Sequence, residues 1–239
     1  MEDSRPKTGD GINLVYPLLT LLVILINITL GVVIPARQFV NQPLHSVVEG
    51  LGCLAGMSLA VTLLVRHRED TELVFRFWVP AGLLSMSILD GFHSYAPFGN
   101  SFVWLHSLAI LLGGLLFAGS WLPFHPKRPY SRYIPTVFVV VVAILLGFIS
   151  LFIPGIFPTM LSGGSFTVTA DVINAISGLL FMAAAAFFFS RYLATKNSQE
   201  ILFACFSVLN GAAGLLFSFR QPWSLERARA AAGWHPPAR

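Results

Sequence analysis

Apolar residues run along this chain in seven long blocks, and each block ends where Pro, Gly or a charge appears. The blocks cover residues 12–34, 44–65, 77–95, 101–122, 134–154, 167–190 and 200–219. Each approaches or exceeds the roughly 20 residues that an α-helix needs to cross about 30 Å of hydrocarbon. The gaps hold Pro35 and Pro43, Arg66 to Arg68, Pro97 to Asn100, Pro123 to Pro129, Pro154 to Pro158, and Lys196 to Gln199. The pattern predicts an all-α polytopic transmembrane bundle of seven spans: a segment 1–11, a membrane domain 12–219 and a tail 220–239. The first block is long enough to span and no A-x-A-like site follows it, so it reads as a retained signal anchor rather than a cleaved leader.

Composition agrees with the pattern. Only 11% of the 239 residues are charged and 55% are hydrophobic, whereas a soluble domain carries about 25% charged residues. The net charge of +4 does not point to nucleic acid, because the basic residues lie in short gaps between apolar blocks. There they set orientation and meet lipid headgroups. Arg5, Lys7, Arg66, Arg68, Arg76, Lys127, Arg128, Arg132, Arg191 and Lys196 fall on the amino-terminal side, against Arg37 alone in the three opposite loops. The amino terminus is therefore expected in the cytoplasm. Trp78, Trp121, Tyr16, Tyr130 and Tyr192 would form the aromatic belt on that side, with Tyr95 and Trp104 on the other.

Seven spans would leave the carboxyl terminus outside, yet the tail carries Arg220, Arg227, Arg229 and Arg239. It reads as a disordered tail, or as a truncated end where an eighth helix belongs. Cys53 and Cys205 lie inside spans without a second Cys at metal or redox spacing and read as small packing residues. Gly52 and Gly56 have G-x-x-x-G spacing, which serves packing within the chain or a homodimer seam.

Ionisable groups inside spans are costly and mark function. Here they are expected at one depth. His45 and Glu49 share a face of span two by i, i+4 spacing. Asp90 and His93 share a face at the end of span three by i, i+3 spacing. His106 opens span four, and Asp171 and Asn174 lie in the first turns of span six. With a cytoplasmic amino terminus, all seven lie within two or three turns of the external face. Three readings stay open. The cluster is a network pinning helices two to four, a site for a divalent metal ion or small polar ligand, or a metal-activated hydrolytic centre. Seven-helix intramembrane hydrolases of the ceramidase and adiponectin-receptor kind use such a centre, with a His pair on the last span; here that span has Asn210 and no His.

The same residues carry a resemblance. L-H-S-V-V-E from Leu44, L-D-G-F-H from Leu89 and N-S-F-V-W-L-H-S from Asn100 resemble the MASE-type membrane-associated sensor domains of bacteria, and among them the third described type. Phe157 to Met160 followed by Gly163 to Thr167 fits as well. The resemblance covers spans two to seven. It implies a bacterial inner-membrane input module of eight spans, feeding a cytoplasmic histidine kinase or diguanylate cyclase domain. Pro222 to Leu225 resembles the start of the eighth helix before the sequence turns Arg-rich, and no output domain follows. The implied chain is a non-catalytic sensor with lipids, a small ligand or metal, and a homodimer or cytoplasmic signalling protein as its partners.

Overall fold

In a computed structural model of the chain, residues 10–33, 41–66, 74–122, 133–163 and 165–217 are described. Seven α-helices occur among them: α1 (Asp10–Val33), α2 (Gln42–Arg66), α3 (Val79–Tyr95), α4 (Asn100–Ala118), α5 (Ile134–Phe152), α6 (Val168–Thr195) and α7 (Ser198–Phe217). A π-helical turn, Val74–Trp78, leads into α3, and a 3-10 turn, Gly119–Trp121, extends α4. Each helix coincides with one apolar block to within a few residues.

Among the described residues five helices are long and apolar enough to cross a membrane: Gln42–Arg66, Asn100–Trp121, Ile134–Phe152, Val168–Thr195 and Ser198–Leu216. The expected count of seven is thus met in helices, not in spans by length. In α1 the apolar helix with described side chains is Leu14–Leu30, and α3 has 17 residues, including Asp90 and His93. Seventeen residues rise about 26 Å, short of the full hydrocarbon thickness. The tail, the first nine residues, Tyr130 and most of the charges used for orientation (Arg5, Lys7, Arg37, Arg68, Lys127, Arg128 and Arg132) lie outside the described residues.

Small residues make up most of the buried face of α5 and α6, although α6 also buries Phe181 and Phe188. In α5 the buried residues are Thr136, Ala143, Gly147 and Ser150, while Ile134, Val137, Phe138, Val141, Leu145, Phe148 and Phe152 are exposed. In α6 Asn174, Ser177, Gly178 and Ala184 are buried, while Val172, Ile176, Leu179 and Leu193 are exposed. Water would drive the opposite arrangement; lipid does not, because small and hydroxyl-bearing residues let helices approach while Leu and Phe meet acyl chains at no cost.

The helices pack in the order α2, α3, α4, α6, α7, α1, with α5 against α3. Adjacency in sequence would favour α4 against α5, but α4 turns its glycines elsewhere. A Cβ on Gly113 would strike Met86 of α3, and one on Gly114 would lie 3.1 Å from the Ser177 carbonyl of α6. The tightest seam is α6 on α7, where a Cβ on Gly214 would come within 2.8 Å of the Asn174 carbonyl. Lys196 at φ 55° in the left-handed region ends α6 and turns the chain directly into α7. Of the G-x-x-x-G pair, Gly56 faces Ser87 of α3, which is packing within the chain, and Gly52 has open space beside it.

A core of Phe75, Phe117, Phe181, Phe188 and Phe203 fills one end of the bundle. Leu89, Leu105, Leu108 and Ala143 form a second core. Here α3 meets α4 across the short 96–99 connection, and the polar cluster lies at this end.

Candidate functional site

Backbone direction sets the site. α2 begins, α3 ends and α4 begins at the same end of the bundle, so His45, His93 and His106 meet in one layer. The His45 and His93 Nε2 atoms are 3.2 Å apart, with the rings near perpendicular. Glu49 Oε1 lies 3.9 Å from His45 Nε2, one helical turn below it. These three residues each offer an atom within 4.8 Å of the others.

His93 is the fixed member. It is 3% exposed, and its Nδ1 donates to the Phe102 carbonyl of α4 at 2.8 Å. A carbonyl only accepts, so the neutral ring carries its proton on Nδ1, and the lone pair on Nε2 points at His45. The Phe102 ring packs 4.0 Å from His93 and 5.2 Å from His45 by centroids. Ser46 adds a second tie between α2 and α3 by donating to the Ser94 carbonyl at 2.7 Å.

Asp90 and His106 form a second pair beside the first. His106 Nδ1 is 3.7 Å from Asp90 Oδ1, and the His106 ring lies 5.1 Å from that of His93. The distance is too long for a direct hydrogen bond, and both facing atoms are buried without another bond among the described residues. The pair stands between two openings. Glu49, Gly52, Cys53, Asp90 and Asn210 line a cavity of about 170 Å³. His106 lines a separate crevice of about 340 Å³ between α1 and α7, with Val23, Ile24, Leu209 and Leu216.

The structure therefore brings His45, Glu49, Asp90, His93 and His106 into one neighbourhood on α2, α3 and α4. Asn174 is elsewhere occupied: its Nδ2 donates to Ser107 Oγ at 2.9 Å and to the Ala170 carbonyl at 2.8 Å, joining α6 to α4. Asp171 is half-buried in the first turn of α6, where a carboxylate complements the helix dipole. Neither belongs to the close His45–Glu49–His93 group. His67, His125 and His235 lie outside the described residues.

One expectation needs correction, since the ionisable groups of the helices do not all share one depth. Glu200, 1% exposed in the first turn of α7, accepts from Arg191 Nε at 2.8 Å at the opposite end of the bundle. An acid opening a span just after an Arg that closes the previous one was the available signal. Asn100 also escaped notice. Its side chain accepts from the Met160 amide at 2.5 Å and donates to the Pro158 carbonyl at 3.1 Å. It thereby straps the 158–160 segment, beside the small hairpin Leu161–Ser162 with Ser165–Phe166, to the start of α4.

Compared with known proteins, the chain matches no family model, no curated protein and no solved structure. Its chemistry is read from its own residues.

Proposed function

We propose that this chain is the integral-membrane sensory input domain of a bacterial signalling protein, of the MASE type. In this reading seven helices span the inner membrane with the amino terminus in the cytoplasm. The cluster near the external face receives an extracytoplasmic or membrane-borne ligand, and an output domain carried outside this chain reads the result. The observation that carries the reading is the convergence of His45 and His93 Nε2 at 3.2 Å, with Glu49 beside them and Asp90 and His106 next to them, in a bundle whose buried residues are mostly small or apolar. Ionisable groups held this far into a helical bundle are retained at a cost in stability, and function is the usual reason. The group joins α2 to α3, so a ligand there would bias how these two helices meet, which is the kind of two-state element a signal needs.

The test is a chimera. Residues up to 219 are joined to the last membrane helix and cyclase domain of a MASE-type diguanylate cyclase, and the cyclic dinucleotide is measured in cells. Substitution of His45, Glu49 or His93 should change the output while the protein stays in the membrane at an unchanged level. Output indifferent to all three would overturn the sensor reading. Metal-dependent hydrolysis of a lipid amide or ester by the purified chain, lost in His93→Ala, would make the protein an intramembrane hydrolase instead.

A further inference from the structure

We infer that His45, His93 and Glu49 form a binding site for a single divalent transition-metal ion, of which Zn²⁺ is the type. The inference rests on the receptor reading above and names the ligand of that site. Three features of the geometry carry it. Two imidazole nitrogens on one tetrahedral ion, each about 2.05 Å from it, stand about 3.3 Å apart. His45 and His93 Nε2 are 3.2 Å apart already.

The second feature is the outer partner of His93. Metal-ligating histidines commonly donate their other N–H to a carbonyl or carboxylate, which fixes the tautomer and aims the lone pair. His93 does so to the Phe102 carbonyl, and it is immobilised by burial. The third is the donor set. Two imidazoles and one carboxylate match the borderline ions of the zinc and iron group; Mg²⁺ and Ca²⁺ take all-oxygen shells. Glu49 Oε1 is 3.9 Å from His45 Nε2, about 0.5 Å beyond the separation of two donors on one tetrahedral ion. Rotation of a side chain that is 27% exposed closes that gap. The remaining coordination position would fall to water, for which the cavity of about 170 Å³ beside Glu49 and Asp90 has room.

The competing account is a plain hydrogen bond from His45 Nε2–H to the His93 lone pair, with no ion. Isotope-labelled histidine spectra and chelator-competition titration of the full chain in lipid nanodiscs separate the two. Zn²⁺ should bind once at this site and shift the His45 and His93 ring signals of the unmutated protein, while Mg²⁺ and Ca²⁺ shift neither. His45→Gln and His93→Gln should each weaken that binding by more than the roughly 10–100-fold cost of losing an outer partner. Glu49→Gln should weaken it by less, because the two imidazoles remain. If Zn²⁺ leaves both ring signals in place, or if the double variant His45→Gln/His93→Gln keeps the full affinity, the metal site is overturned. Reading the unmutated chain first keeps the test decisive even where a variant fails to fold. Zinc binding with an unresponsive chimera would overturn the sensor reading and keep the metal site. An output that depends on His45 without zinc binding would do the reverse.

Discussion

Gly178 offers a test of how tightly α6 packs on α7. A Cβ built there would lie 2.9 Å from the Gly211 carbonyl oxygen and 2.9 Å from the Leu215 amide nitrogen. Both are backbone atoms of α7, and neither can rotate aside. Relief requires α6 and α7 to part by several tenths of an ångström along a seam that Gly214 closes from the other side, with the Asn174 carbonyl 2.8 Å from its own would-be Cβ. Overpacking of a well-packed interior typically costs about 1–3 kcal/mol, and Gly178→Ala should lie within that range. Gly50 of α2 is the control, because a Cβ there meets nothing within 4 Å. Gly50→Ala should stabilise its helix by about 0.5–1 kcal/mol, since Ala is the better helix former. The assay is reversible unfolding in mixed micelles of rising denaturing-detergent fraction, followed by circular dichroism. The two substitutions should move the midpoint in opposite directions. If Gly178→Ala is as harmless as Gly50→Ala, the α6–α7 seam is looser than described.

Removing Arg191 leaves the buried Glu200 carboxylate without its 2.8 Å partner. Glu200 keeps other contacts, so Arg191→Met should destabilise by about 1.5–3 kcal/mol, the worth of one hydrogen bond to a charged group, and Arg191→Met with Glu200→Leu should recover much of the loss in the same unfolding assay. Asn100→Leu removes two hydrogen bonds to the 158–160 segment. It should raise amide exchange at Met160 and in the hairpin strands at least tenfold while α3 and α4 keep their protection, each bond contributing about 0.5–1.5 kcal/mol. Reporter fusions after residues 66 and 123 should read cytoplasmic; an external signal from either would reverse the orientation and move the polar cluster to the inner face.

The helices and the His pairs were legible in the sequence for the same reason. Both depend on spacing along one helix, and α-helical spacing is fixed at 3.6 residues per turn. His45 with Glu49 and Asp90 with His93 needed nothing more. What the residues could not announce was the partner that a given side chain or glycine finds on another helix. The Phe102 carbonyl that orients His93 is a backbone atom, so no side-chain pattern marks it. The packing of α4 on α6 rather than α5 rests on Gly113 and Gly114, whose meaning appears only once Met86 and Ser177 lie opposite them. Asn174 was grouped with the histidines because depth is readable from sequence; its direction around the bundle, toward Ser107, is not. Glu200 opens the block 200–219, and its burial there depends on how tightly the α6–α7 turn closes, which no residue spacing states.

The position of α1 has a consequence for how the protein is made. α1 packs chiefly on α7, the last helix described. Residues 34–217 must be synthesised before that partner exists, a wait of about 10–40 s at ordinary translation speeds of 5–20 residues per second. α1 is equipped for such solitude. Thr20 donates to the Tyr16 carbonyl at 2.9 Å and Asn27 to the Val23 carbonyl at 2.9 Å, both within the helix itself. Its remaining outward residues, Leu14 to Leu30, are almost all aliphatic, so it can rest in lipid at little polar cost until α7 arrives. Among the described helices α1 comes first in the chain and its partner α7 comes last, and a cell lacking the factors that shelter waiting helices should accumulate the protein with this one helix astray.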